Sequence, residues 1–449
     1  MKDITIHDFR CFSEKHLEFR PGINLIIGDN SSGKTSLIRA CNYVTNAFFS
    51  GYSDENTVWK SIDDNDFKLN VGEDNVIQQE KPIIIDFHLS ESDLLPVNMP
   101  DGSTFRFDYK QQLSLEKRSK KNSRKLTSGL SVLKEYCSKI QDASHIFREN
   151  SFVQINALPV YACFTTEDIH SSRKIDKDKF KEYNQKPSFG YNECYDCRGL
   201  YDYWLNRLLV LQEAGLGETE ISTVRKALKS ALGATGSNII EDIIVRPVRG
   251  KVFFKYTDGR IVASDMLSDG YKRLVNVVLD IAIRCALLNK TMFGDESFLH
   301  THGTVIIDEI DEHLHPALQS RVLKDLHRTF PKIQFIVSTH APMVMSSVES
   351  NEDNVVYRLW YDDETKAYMD AELITYGLDA NLILEESMRV DSRDATVKSM
   401  IVNLQSLVSD NKLSEAKDVL STIERVTSPT QPELVRIRSL INRLERRDK

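Results

Sequence analysis

The sequence has no apolar run approaching the ~20 residues that a membrane-spanning helix needs, so no spanning helix is expected. Its first ten residues, MKDITIHDFR, are polar and charged and lack the apolar centre of a secretory signal. Basic charge is not in excess. The chain carries 58 lysines and arginines against 66 aspartates and glutamates, a net charge of −8. That balance excludes a protein that coats nucleic acid with its whole surface; any such contact must come from a local patch. Cysteine is sparse and odd in number, seven in 449 residues, which argues against a disulfide framework and fits a reducing cytoplasm. The close pair Cys194 and Cys197 lacks the second pair or nearby histidines of a zinc ribbon, and two incidental or structural cysteines are the simpler reading.

The apolar residues that are present fall into patterns. Ile4, Ile6 and Phe9, then Leu17 and Phe19, alternate as strands do, and Ile23–Ile27 reads as a short buried strand. A helix is expected from about Lys34 to Ala47, and strands at 81–87 and 158–164. Residues 90–150 carry Lys117-Arg118, Lys120-Lys121 and Arg124-Lys125 with few aromatics. They read as a solvated, charged insertion, with a partner or nucleic-acid surface as the other reading. Residues 201–232 have helical spacing at Trp204, Leu208 and Leu211, a helical arm within the fold. It lacks sustained heptads, which argues against the long-armed chromosome-structuring ATPases. Val252–Tyr256 followed by Asp258-Gly259 signals a hairpin. From about Arg393 the chain reads as all helix. One stripe is Met400, Ile401, Leu404 and Leu407; the next is Leu413, Ala416, Val419 and Leu420. A third helix opens at Pro432 and carries Leu434, Ile437, Leu440 and Leu444. Such stripes are expected to need an outside surface on which to dock. The resulting division is 1–90 and 236–390 for one split α/β domain, 91–150 for the insertion, 151–235 for a strand and the arm, and 391–449 for the tail.

Four motifs carry chemistry. Gly28-Asp29-Asn30-Ser31-Ser32-Gly33-Lys34-Thr35 matches the phosphate loop G-x-x-x-x-G-K-[ST], with Ser36 following, between an apolar strand and a helix. Its glycines let successive N–H groups curl toward phosphates, and the helix adds its positive end. Lys34 is placed to reach the β- and γ-phosphates of ATP, and the Thr35 hydroxyl to hold Mg²⁺. The run 304–307 is an apolar strand ending in Asp308 and Glu309. Asp308 is placed to hold Mg²⁺ through water and Glu309 to orient or deprotonate the attacking water; alone, it would be a strand ending in a charged turn. Leu267-Ser268-Asp269-Gly270-Tyr271 precedes an apolar helix, so Ser268 and the N–H groups near Gly270 offer a second anion site; an ordinary serine helix cap is the alternative. Phe335–Pro342 places His340 at a strand end, the edge where open α/β sheets bind ligands, and it reads as a γ-phosphate sensor or a simple strand cap. Between the last two strands lies Asp311, in the place of the loop that crosses the dimer interface in the ATPases this order of motifs resembles. His313 and His315 lack an apparent third metal ligand and suit interface or helix-entry roles.

Together these motifs resemble the soluble ABC-type ATPases related to RecF and the OLD proteins, and within them the PtuA-like ATPases of Septu anti-phage systems. The softer features are Leu158–Thr166, Tyr376–Asn381, Val390–Arg393, and Lys412–Ala416 through Pro432–Leu434. The resemblance implies an α/β ABC-type P-loop fold with an inserted helical arm and a C-terminal helical tail. It also implies ATP and Mg²⁺ as cofactors, a cytoplasmic setting, and a homodimer or higher homo-oligomer in which Ser268, Gly270 and Asp311 face the other copy's nucleotide. An HNH-type nuclease partner and a phage or nucleic-acid trigger are implied as well. Ser31 and Asp269 replace the family's usual glycines, and the second departure implies slow turnover. No D-x-D stands at a strand end beyond His340, and Asp362-Asp363-Glu364 reads as a turn, so no nuclease activity is expected in this chain. The alternative is a stand-alone RecF-like repair ATPase that closes on DNA as an ATP-bound dimer.

Overall fold

The computed structural model describes residues 1–68, 81–119, 128–148, 151–165, 186–196, 200–388, 391, 393–428 and 430–447. Cys197, Lys120, Lys121, Arg124, Lys125, Val390 and Ser392 lie outside the described residues. The chain forms two compact units, Met1–Asp379 and Ala380–Lys449. The division precedes the 390/391 boundary expected from sequence, because Ala380–Leu382 and Ile383–Ser387 already turn helically within the second unit.

The first unit is built around a six-stranded sheet in the order β6-β10-β11-β3-β12-β13. Its strands are β3 (Ile23–Gly28), β6 (Val160–Phe164), β10 (Gly303–Ile307), β11 (Ile333–Ser338), β12 (Val355–Asp362) and β13 (Ala367–Glu372). All pairings are parallel except β12 with β13. The middle strands β3, β10 and β11 are buried at every position, as continuous apolar runs require when both sheet faces are covered. Parallel order brings the C-terminal ends of β3, β10 and β11 to one edge, and all the motif residues around Gly28, Asp308 and Ser338 stand there. The turn at Asp362–Lys366 joins β12 to β13 in register, as its charged sequence implied.

A second, antiparallel sheet runs β2-β1-β4-β5, with β1 at Asp3–Phe9, β2 at Phe12–Glu18, β4 at Ile83–His88 and β5 at Leu113–Lys117. Strand β5 belongs to the segment read as a solvated insertion. So does helix α2 (Ser131–Ala143), which buries Leu133, Tyr136, Cys137 and Ile140. The insertion reading therefore fails for its described parts. Every second residue of β5 is turned inward, and lysines at its rim masked that short alternation.

The expected helical arm is present within the first unit. It splits into α3 (Tyr201–Glu213) and α4 (Glu218–Leu232), because Gly215 and Gly217 adopt left-handed backbone at φ 65° and 73°. A buried ion pair between Arg207 and Glu220 ties the two helices, and Lys290 adds a third charge to it. Both pack against α5 (Asp269–Phe293), so the arm is part of the wall rather than a free projection. Helix α5 is buried almost all round. Its polar members Asp280 and Arg284 pair with each other and with Trp204 Nε1 and the Gly190 carbonyl. The hairpin signal is met by β7 (Ile240–Arg246), β8 (Lys251–Tyr256) and β9 (Ile261–Ala263), a small antiparallel sheet just before α5.

The second unit is a three-helix arrangement of α7 (Ala395–Ser409), α8 (Leu413–Val426) and α9 (Pro432–Arg447); α6 (Val322–Thr329) lies in the first unit. The Asp394 side chain caps α7 through the N–H groups of Thr396 and Val397. The stripes expected to dock elsewhere meet one another instead: Ile401, Leu404, Val408, Ala416, Leu420, Ile423, Leu434, Ile437 and Ile441 form one core. Each stripe alone looks unpartnered; three adjacent stripes close a core without outside help. Among the described residues, no helix is long and apolar enough to cross a membrane.

Candidate active site

Strand β3 delivers the chain into a loop that two glycines shape. At Gly28, φ is 149° and an added β-carbon would stand 2.2 Å from the Leu359 carbonyl oxygen. At Gly33, φ is 95° and a β-carbon would meet the Phe12 ring at 2.7 Å. Helix α1 (Lys34–Asn46) starts directly after Gly33, with its N-terminus at the loop. The Lys34 ammonium folds back and donates to the carbonyls of Gly28 and Asp29 at 2.8 and 2.9 Å. Burial pushes the Lys34 pKa down from 10.5, and the carboxylates of Asp308, Glu309, Asp29 and Asp311 oppose that shift. A buried cation held by carbonyl oxygens is suited to receive an anion of higher charge. Thr35, Asp29 and Asn30 are exposed, while Ser32 is buried and its hydroxyl has no partner among the described residues.

At the end of β10, Asp308 is almost fully buried and Glu309 is partly exposed. One residue brackets both. Ser338, at the end of β11, donates its hydroxyl to Asp308 Oδ1 in a short bond and accepts the Glu309 N–H at 2.8 Å. Glu309 itself sits at φ 52°, left-handed backbone that a non-glycine residue adopts at a cost of about 1–3 kcal/mol. Its carboxylate lies 4.0 Å from His340 Nε2. Asp311 Oδ1 accepts from Thr339 Oγ1 at 2.5 Å and from the His340 N–H at 3.3 Å. From α5, Arg273 reaches back to Glu312 Oε2 (2.7 Å) and to the carbonyls of Asp308 (3.0 Å) and Glu309 (2.9 Å).

These pieces enclose a cleft of 430 Å³ lined by Asn30, Ser31, Gly33, Lys34, Thr35, Ser36, Glu309 and His340, with Cys11 and Tyr368. The fold thus brings Lys34, Thr35, Glu309 and His340 to one cavity from three strand ends. Ser268 and Gly270 are not among its lining residues. Ser268 is the exposed residue before the first turn of α5, with extended backbone and no side-chain capping bond. Gly270 is buried beneath it, against the carbonyl of His313. His315 accepts the Ala317 N–H at the start of a short helix, one of the roles its position implied. Sequence reasoning missed Cys11, Tyr368, Ser338 and Arg273 as site residues. Burial pushes the Cys11 thiol pKa up, with hydrogen bonds to Ser36 and Tyr368 opposing it. Cys11 comes from the turn between β1 and β2 and Tyr368 from β13, and neither leaves a local pattern. Arg273 had a signal, a guanidinium at the head of a helix whose other residues are mostly apolar. Among the described residues no cluster of three or more His, Cys, Asp or Glu side chains fits a metal held by protein alone. Thr35 and Asp308 are the oxygen donors here that could share a cation with the phosphates of a bound nucleotide.

A glycine-shaped loop on a helix N-terminus, an acid pair ending one parallel strand and a histidine ending its neighbour define a P-loop ATPase. The chain belongs to the family described as "AAA domain, putative AbiEii toxin, Type IV TA system", which matches residues 23–346. The "Retron Vc95 probable ATPase" of Vibrio cholerae serotype O1 biovar El Tor is 23% identical over 452 residues, spanning 91% of this chain and 83% of that protein. The "Retron Ec83 probable ATPase" of Escherichia coli is 31% identical over 176 residues, 38% of this chain and 31% of that one. The "Septu protein PtuA" of Bacillus mycoides (strain KBAB4) is 30% identical over 160 residues, 35% of this chain and 20% of that one. The resemblance to Septu ATPases read from the sequence is thus met by sequence similarity.

Proposed function

We propose that this chain is the ATP-hydrolysing subunit of a bacterial anti-phage defence complex, and that its nucleotide state governs a separate HNH-type nuclease. The observation that carries the ATPase part is the convergence of Lys34, Thr35, Glu309 and His340 on one cleft. Similarity to proteins named for Septu and retrons supports the defence part. In this reading the loop N–H groups and Lys34 hold the β- and γ-phosphates. Thr35 and Asp308 would hold Mg²⁺, which would supply charge neutralisation at the phosphates when bound. Glu309 orients the attacking water and takes its proton. His340, beside Glu309, senses whether the γ-phosphate is present. Two copies close face to face, so that Ser268 and the N–H groups at Gly270 of each complete the other's site. Asp311 lies along that seam. The Asp269 carboxylate, where a glycine would leave the anion site neutral, disfavours closure and slows turnover.

The test pairs the chain with an HNH-type protein encoded beside it. Purified together, the two should remain associated, and cells carrying both should resist phage. Lys34→Ala should abolish protection while leaving the protein folded. Full protection by Lys34→Ala would refute the nucleotide-governed reading; absence of any association would refute the nuclease partnership.

A further inference from the structure

Helix α5 does two things at its head. Ser268 and Asp269 are exposed, while Gly270 and Arg273, three residues apart and so on one face, turn inward. Both inward residues meet the same loop. A β-carbon at Gly270 would lie 2.4 Å from the His313 carbonyl oxygen, so the helix backbone rests directly on that loop. Arg273 is only 2% exposed, and its fork makes three bonds, to Glu312 and to the Asp308 and Glu309 carbonyls. Its Nε is left without a partner among the described residues, so the side chain is committed to this one contact. The loop it grips contains Glu309 in left-handed backbone. The two ends of the Glu309 residue are held differently: the Ser338 hydroxyl accepts its N–H, and its carbonyl accepts from the Arg273 guanidinium at 2.9 Å and from the Glu312 N–H at 3.1 Å.

We propose that Arg273 is a positioning residue for hydrolysis, a rigid link that couples the head of α5 to the backbone of Glu309 within one chain. The link rests on the reading of Glu309 as the group that activates water. It gives the strained Glu309 peptide a fixed carbonyl. Anything that shifts the first turn of α5, such as an anion binding at Ser268, therefore moves the Glu309 carboxylate with it. Without the guanidinium the peptide relaxes toward ordinary backbone and the carboxylate leaves its place beside His340. The phosphate loop is untouched, because Lys34 and Thr35 hang from β3 and α1.

The experiment compares Arg273→Gln, Arg273→Lys and Glu309→Gln in the full chain, measuring kcat and KM for ATP, equilibrium affinity for Mg·ATP, and thermal melting. Arg273→Gln is expected to lower kcat on the order of 10²-fold, as displacement of a reacting group by about 1 Å does, with ATP affinity and KM unchanged. Arg273→Lys is expected to fall between, since one ammonium cannot span three acceptors as a planar fork does. If Arg273→Gln does not fold, Arg273→Lys carries the same test. A wild-type kcat in the Arg273 variant tested, with Glu309→Gln inactive, overturns the link alone. Loss of ATP affinity in step with kcat overturns it too, making Arg273 a scaffold residue. A wild-type rate in Glu309→Gln overturns the reading of Glu309 instead.

Discussion

Ser338→Ala removes one buried oxygen that serves two neighbours. The hydroxyl donates to the Asp308 carboxylate and accepts the Glu309 N–H, and Ser338 is fully buried, so no solvent replaces it. Leaving a buried backbone N–H unsatisfied costs about 1–3 kcal/mol, and a bond to a charged group is worth about 1.5–3 kcal/mol. The two losses share one atom and overlap, so about 2–4 kcal/mol is expected. The first unit spans 379 residues, and at about 2.1 cal/mol/K per residue of unfolding entropy this lowers its melting temperature by about 2–5 °C. The change also frees the Glu309 N–H from its one anchor, leaving the backbone held only at the carbonyl by Arg273 and the Glu312 N–H. Turnover should therefore fall further than stability alone explains, measured well below the melting range. Calorimetry or a thermal shift reads the first effect and steady-state phosphate release the second. A variant that melts and hydrolyses like the wild type would show that the hydroxyl does not bracket the acid pair.

Glu309→Gln should keep ATP affinity and lose about 10²–10⁴-fold in turnover, seen as an ATP-loaded protein that releases little phosphate; equal turnover would move the base to another residue. Ser268→Arg should leave ATP binding by one chain intact and block closure, because an exposed guanidinium then stands where the facing phosphate belongs; light scattering with ATP should show no closed dimer, and wild-type association and hydrolysis would contradict the composite site. Deleting residues 380–449 should leave ATP affinity in place, since the second unit has its own core, and should reduce particle mass or strip the nuclease partner. Loss of ATP affinity on that deletion would assign the tail to the nucleotide site. The same 70-residue segment alone should give a helical spectrum and a cooperative melt, and Leu404→Ala should abolish or weaken that melt by about 2–5 kcal/mol.

Local chemistry was legible in the linear sequence because each motif is a backbone necessity within a few residues. The phosphate loop needs Gly28 and Gly33 where side chains would strike Leu359 and Phe12, and the parallel strands need unbroken apolar runs. So the cradle, the acid pair, the histidine and the α/β class followed from residue order and spacing. What only the tertiary structure decided depends on contacts between distant segments. Strand order put Ser338 beside Asp308 and Glu309, thirty and twenty-nine positions away. It also brought Tyr368 and Cys11 to the cleft of Lys34. Sheet pairing turned a charged stretch into strand β5, whose partner lies across a long connection. The tail shows the limit most plainly. Periodicity gives each helix an apolar stripe, and it is silent on what covers the stripe. Burial is a property of pairs of surfaces, so the three stripes of the second unit became a core only when α7, α8 and α9 were brought face to face.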